Sequence, residues 1–185
     1  MKQTAITLLI IALYFFCSCN SKSEAKPSAH PDWKQHQLPN GWSFWAPPEF
    51  RSYEAQGIDS EPGFIISEKD SIHLQFDSGV EFRKTKTCDF SNDFAEARKD
   101  IRDGFYKEFY KVPTVHSAYI DTIDNRVAIV VKPTKTMKGT VGVSIKDCET
   151  GAWLGIDGEN LSQQSEALVL SIFKTIKFNK NLLRQ

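Results

Sequence analysis

The sequence predicts an α+β domain, an antiparallel β-sheet covered by helices. Three observations predict it. Segments such as 72–76 alternate apolar and polar residues with the two-residue period of a half-buried strand. Two others, around Phe94 and around Leu168, repeat apolar residues at the i, i+3, i+4 spacing of an amphipathic helix. The order along the chain is strands, helix, strands, helix, which argues for one sheet with helices laid on it.

The first element stands outside this domain. Lys2 supplies a positive start, and residues 5–16 (AITLLIIALYFF) form an apolar run. That run has the length of a signal-peptide core and is short of the ~20 residues that cross a bilayer as a helix. It ends at Phe16-Cys17-Ser18-Cys19, before the polar stretch Asn20-Ser21-Lys22-Ser23-Glu24. This junction resembles a bacterial lipobox. In such signal peptides a small residue precedes a cysteine that is lipidated on its thiol and becomes the mature N-terminus. Ser18 before Cys19 fits, whereas Phe16 before Cys17 is too large. The sequence departs from the lipobox pattern at Phe16, where Leu is usual, and at Cys17, where Ala or Ser is usual. The resemblance implies a signal peptide over 1–18, lipid attachment at Cys19 with acyl chains such as palmitate, and a bacterial cell-envelope location. The protein is then membrane-anchored, on the periplasmic face or the cell surface. An ordinary cleaved signal peptide with a released product is the alternative.

The full chain has 23 basic and 23 acidic residues, so removing Lys2 with the leader leaves a mature net charge of −1. A near-neutral chain without a basic cluster has no electrostatic footprint for nucleic acid. It also lacks a polybasic stretch for anionic lipid headgroups. The expected membrane contact is the lipid alone.

Residues 20–32 carry no large apolar side chain, and such a segment does not bury enough surface to offset the entropy of ordering it. The anchor and tether are therefore expected over 19–36, and a single domain over 37–180. The domain opens with the turn signal Asn40-Gly41 and a strand carrying Trp42 and Phe44, ended by Pro47-Pro48. Strands at 64–66 and 71–76 follow, joined at Glu68-Lys69-Asp70, with a short piece at 79–84.

A helix is expected from Ser91 or Asn92, both good N-caps, with Asp93 favoured by the dipole of the first turn. Phe94, Ala97, Ile101, Phe105 and Phe109 line its apolar face, Gly104 weakens it by ~1 kcal/mol relative to Ala, and Pro113 bounds it. Strands at 115–123 and 126–131 meet at the turn Asp124-Asn125, and Pro133 ends the second. Strands at 140–146 and 151–156 come next, then a turn at 157–160. Ser162 caps a second helix with Leu168, Val169, Ile172 and Phe173, which passes into a short strand at 176–178.

The opening Pro39-Asn40-Gly41-Trp42-Ser43-Phe44-Trp45-Ala46-Pro47 and the closing segment from Asn160-Leu161-Ser162 to Thr175-Ile176-Lys177-Phe178 resemble PsbP-like domains. The resemblance covers about 38–178. It implies a central antiparallel sheet between helices, and an accessory or binding role with no catalytic motif to carry over. Its matching residues are structural, so the fold analogy says little about any particular function.

With Cys17 removed and Cys19 lipidated, Cys88 and Cys148 remain as an even pair in an exported chain. Both fall at element ends, where a bridge is geometrically feasible and would contribute about 4 kcal/mol on a loop-entropy account. Two separate buried thiols are the alternative. His30, His36, His73 and His116 stand in no metal-ligand spacing, and no metal or other cofactor is expected.

Asp121, Asp124, Asp157 and Glu159 fall near strand ends. Asp157-Gly158-Glu159-Asn160 lacks the alternating acids of a calcium loop, so a turn before the helix cap is expected there. No catalytic residue is predicted. Trp33, Trp42, Trp45, Trp153, Tyr53, Tyr106 and Tyr110 are mostly expected in the core, with Trp42, Trp45 and Trp153 as candidates for a ligand platform. Trp42 and Trp45 have opposite strand parity, so at most one faces the core of a regular strand.

The expected function is therefore that of a non-enzymatic, lipid-anchored envelope protein that binds or supports another envelope protein. The alternatives are an immunity or inhibitor lipoprotein acting on an envelope toxin or hydrolase, and a glycan- or cell-wall-binding protein or enzyme using exposed Trp.

Overall fold

The computed structural model describes residues 27, 29–81, 90–103, 116–135 and 139–183. The leader, Cys17, Cys19, Cys88, the tether up to residue 26, and the expected helical positions Gly104, Phe105 and Phe109 with Tyr106, Tyr110 and Pro113 lie outside these.

Among the described residues ten strands form two sheets, and every pairing is antiparallel. Strands β1 (Lys34–Gln37), β2 (Trp42–Ala46) and β10 (Lys177–Phe178) make a small sheet in the order β1-β2-β10. The larger sheet contains β3 (Arg51–Glu54), β4 (Gly63–Ser67), β5 (Ile72–Val80), β6 (His116–Ile123), β7 (Arg126–Pro133), β8 (Thr140–Lys146) and β9 (Ala152–Glu159). Its order is β3-β4-β5-β9-β8-β7-β6. Among the described residues there are two α-helices, α1 (Phe90–Asp103) and α2 (Gln163–Phe173).

Turn chemistry sets much of this register. Asn40 and Gly41 both take positive φ (56° and 79°), the two-residue turn whose twist matches a β-hairpin, and β1 folds back on β2 there. A side chain at Gly41 would also collide with the backbone of Asn179. Asp124 and Asn125, at φ 50° and 59°, repeat the device between β6 and β7. Ser162 caps α2 as expected, its Oγ accepting from the Ser165 N–H at 3.1 Å.

Alternation then sorts the faces. On the inner face of the large sheet, Ile65, Leu74, Phe76, Val141, Val143, Ile145, Leu154 and Ile156 are buried. They share one core with Trp42 and Phe44 of β2 and with Val169, Ile172 and Phe173 of α2. Each such aliphatic or aromatic side chain stabilises the fold by about 1.5–3 kcal/mol through burial alone.

The expectation of a sheet covered by helices is corrected here. The molecule is a β-rich sandwich, with the small sheet and α2 on the inner face. Helix α1 packs mainly against β6 and β7. The boundary at 37 also shifts, because Trp33 is buried and β1 begins at Lys34. The sequence hides this strand because KQHQ has no apolar alternation. His36 stacks on Phe44 with ring centroids 5.0 Å apart, and burial, then the nearby Lys34 charge, lowers its pKa.

Candidate functional site

The outer face of the large sheet carries a groove of about 810 Å³. Its floor follows from strand register. In one row across the sheet, Tyr53, Phe64, Gln75, Asp157, Gly142 and Val131 are successive partners. In the next, Asp77, Gly155, Ser144 and Ile129 are. Gly142 and Gly155 stand where polar-face side chains would otherwise rise, so the floor is lowered beside Asp157. A glycine inside a strand weakens it and marks a close approach by another group.

The walls differ in kind. On one side Ile129 and Val131 are buried, both on β7, a strand that α1 contacts. On the other, Phe64 and its cross-strand partner Tyr53 are 46% and 48% exposed, an aromatic pair facing solvent. Trp153 closes one end, half-buried and lying across Gly79. A Cβ on Gly79 would sit 2.9 Å from the indole, so glycine is what admits the ring there.

Three carboxylates line this space, those of Asp77, Asp157 and Glu159. Asp77 Oδ2 accepts from the Ser60 hydroxyl at 3.2 Å, while its Oδ1 is buried with no hydrogen-bond partner. Burial raises the Asp157 pKa, and the negative charge of Glu159 raises it further. Among the described residues lining the groove there is no Lys, Arg or His. Lys146, the cross-strand partner of Trp153, is held by Glu81 at 2.6 Å.

A raised native pKa means that the folded state binds the Asp157 proton more tightly than the unfolded chain does. The resulting stabilisation is present below the unfolded pKa and is lost as pH rises through the native value. At neutral pH the ionised carboxylate therefore opposes folding. We expect Asp157→Asn to stabilise the protein by about 1 kcal/mol at pH 7, a melting-temperature rise of about 3 °C. That advantage should vanish toward pH 3 in thermal melts. A variant less stable than the parent at pH 7 would show that Asp157 is a structural acceptor instead.

A second hollow, of about 400 Å³, lies among Arg126, Asp147, Glu149, Phe178, Asn179 and Lys180. Its charges are already engaged with one another. Arg126 Nε donates to Asp147 at 2.8 Å and Nη1 to Asp124 at 2.6 Å, and Lys180 lies 3.5 Å from Glu149. This is a structural lock and offers no free chemistry.

The predicted platform is split. Trp42 is fully buried in the core, Trp45 is half-buried in the same strand with opposite parity, and only Trp153 reaches the groove. Asp121 and Asp124 stand apart from Asp157 and Glu159, with Asp124 in the structural lock. The turn expected over 157–160 is corrected, since 157–159 continue β9 and only Asn160 takes positive φ, at 54°. Gly158 lies on the inner face, and a Cβ there would strike Leu74.

Cys148, after β8, is disulfide-bonded, and it is the only cysteine among the described residues. Among those residues no group of three or more His, Cys, Asp or Glu is placed to hold a metal ion, and no helix is long and apolar enough to cross a membrane.

Sequence reasoning missed Asp77, Gln75, Ser144 and Phe64, and it named Tyr53 only among aromatics expected mostly in the core. The readable signal was the glycine at a polar-face position of both β8 and β9. The fold and site thus define a class, a β-rich sandwich with an acid-lined groove on its outer face. No family model and no curated protein matches the chain.

Proposed function

We propose that this chain is a non-enzymatic lipoprotein of the bacterial cell envelope, anchored through Cys19, whose domain binds another envelope protein along the outer-face groove. The observation carrying this reading is the groove itself, a glycine-floored space with an exposed aromatic pair beside it and acids within. Exposed aromatics next to a concave surface are characteristic of binding faces. Cys88 is the proposed disulfide partner of Cys148. The PsbP-like likeness belongs to the same proposal, supported by the pairing of the opening strand β2 with the closing strand β10.

A photo-crosslinking residue at Ser144 tests the docking reading in intact cells. We expect it to capture one discrete protein that the same residue at Lys34, in the small sheet, does not. Equal background from both positions would overturn the reading. The anchor is tested by Cys19→Ser, which should leave an unlipidated product; a lipid-modified mutant would refute Cys19.

Two alternatives draw on the same face. A concentration of acids and aromatics suits an inhibitor whose partner is an envelope toxin or hydrolase. A half-exposed Trp153 beside carboxylates suits a glycan ligand. Binding of soluble cell-wall oligosaccharides that is lost in Trp153→Ala would favour the glycan.

A further inference from the structure

We infer that the partner seated in the groove supplies a cationic side chain, a Lys ammonium or Arg guanidinium on an extended segment, held between Asp77 and Asp157 with its stem along Trp153. This rests on the docking reading above and names the chemistry of the partner. Four observations carry it.

The first is a concentration of acid. Asp77, Asp157 and Glu159 face one space, and no cation lines it among the described residues. Lys146 is engaged by Glu81, and His73, on the same face at the start of β5, does not line the groove.

The second is spacing. Asp157 is the direct cross-strand partner of Gln75, and Asp77 of Gly155, so the two acids are diagonal neighbours. Such positions lie about 7–8 Å apart at the backbone, and somewhat closer at the side chains. A cation making two charge-assisted hydrogen bonds of about 2.8 Å bridges that gap.

The third is a polar atom left unmatched. Asp77 Oδ1 is buried and unpartnered, where nearly all buried polar atoms find a partner. Gly142 and Gly155 flank Asp157 without side chains, leaving the approach clear.

The fourth is the aromatic surround. Trp153 is fixed across Gly79 and presents its ring to the same space, a surface suited both to an aliphatic stem and to cation–π contact. The exposed Tyr53–Phe64 pair offers apolar contact to residues flanking the cation, which favours a peptide segment over a small free amine.

The test titrates the full-length chain in detergent with acetylated tri-lysine amide, and with tri-glutamine amide and spermidine as comparisons. We expect tri-lysine to bind about tenfold or more tightly than tri-glutamine, the difference that a buried charge-assisted hydrogen bond supplies. It should also outbind spermidine, and weaken as salt is raised. Asp157→Asn, which is expected to keep the fold, should remove that preference, and Asp77→Asn should reduce it.

Equal binding of tri-lysine and tri-glutamine, or a preference unchanged in both variants, would overturn the inference. Spermidine binding at least as tightly would overturn the peptide source. If the Ser144 crosslink persists undiminished in Asp157→Asn, the docking reading stands and the cationic assignment falls. If tri-lysine binds as expected and no protein is captured, the cationic site stands and the protein partner falls.

Discussion

Arg126→Ala is expected to destabilise the protein by about 3 kcal/mol, the lower end of the range for removing one partner of a desolvated charge pair. For a chain of this size that is a melting-temperature drop of about 6–12 °C by circular dichroism. The size follows from how much the guanidinium joins. Arg126 begins β7, immediately after the Asp124-Asn125 turn. It donates to the Asp124 carboxylate and carbonyl at 2.6 and 2.7 Å, and to Asp147 at 2.8 Å. Its plane also covers the Phe178 ring, 4.8 Å from the centroid. Asp147 in turn accepts from the Thr150 N–H and hydroxyl, shaping the β8–β9 turn. Asp124 accepts from Lys177 and from the Phe178 N–H at 3.0 Å.

One side chain therefore ties two hairpin turns to the closing strand. Without it Asp124 and Asp147, both largely buried, lose the cation between them. Arg126→Lys keeps the charge but not the two-armed geometry, so an intermediate loss is expected. A drop of only 2 °C or so in the alanine variant, the scale of a surface pair, would show the network to be incidental.

Trp42→Ala is expected to cost about 3–5 kcal/mol, while Trp42→Phe costs less than about 1.5 kcal/mol. Urea unfolding measures both. Trp42 has no exposed surface, and the Phe178 ring packs on it at 4.7 Å, tilted by 46°. Deleting the ring opens a cavity at the junction of the small sheet, α2 and the large sheet. The phenylalanine variant is milder because it keeps a ring in that space, and its remaining cost is small for a second reason. The indole Nε1 is buried with no acceptor, so replacing it removes an unsatisfied donor together with the lost volume. A loss well above about 1.5 kcal/mol in the phenylalanine variant would mean that the N–H is satisfied after all.

What could be read from the sequence tracks how local each determinant is. The hairpin at Asp124-Asn125, the strand at 140–146 and the Ser162 cap each announce themselves within a few residues, and all are where expected. The strands β1 (KQHQ) and β3 (RSYE) were not legible. Both lie at sheet edges, where polar side chains guard unpaired backbone and erase the alternation. Asp157-Gly158-Glu159 looked like a turn because a glycine between two acids usually is one. Here the glycine makes room for Leu74 on a neighbouring strand, and no local signal reveals that.

The groove was illegible for the same reason at longer range. Asp77 and Asp157 belong to distant segments, and only the β5–β9 register makes them neighbours. Of the three Trp residues considered as a platform, parity separated Trp42 from Trp45. It had nothing to say about Trp153, whose position depends on Gly79.

The small sheet has a kinetic corollary. Its middle strand comes from the opening of the domain and one edge from the very end, and Thr175 Oγ1 accepts from the Trp45 N–H across 130 positions of chain. Loop-closure entropy makes such remote contacts slow to form. Until residues near 178 have emerged, β2 lacks its partner on that side and Trp42 lacks its cover. A nascent chain therefore holds Trp42 and its neighbours in waiting until β10 has emerged. In that interval an unpaired strand edge is open to wrong partners, so a holding chaperone is most useful just before β10 arrives.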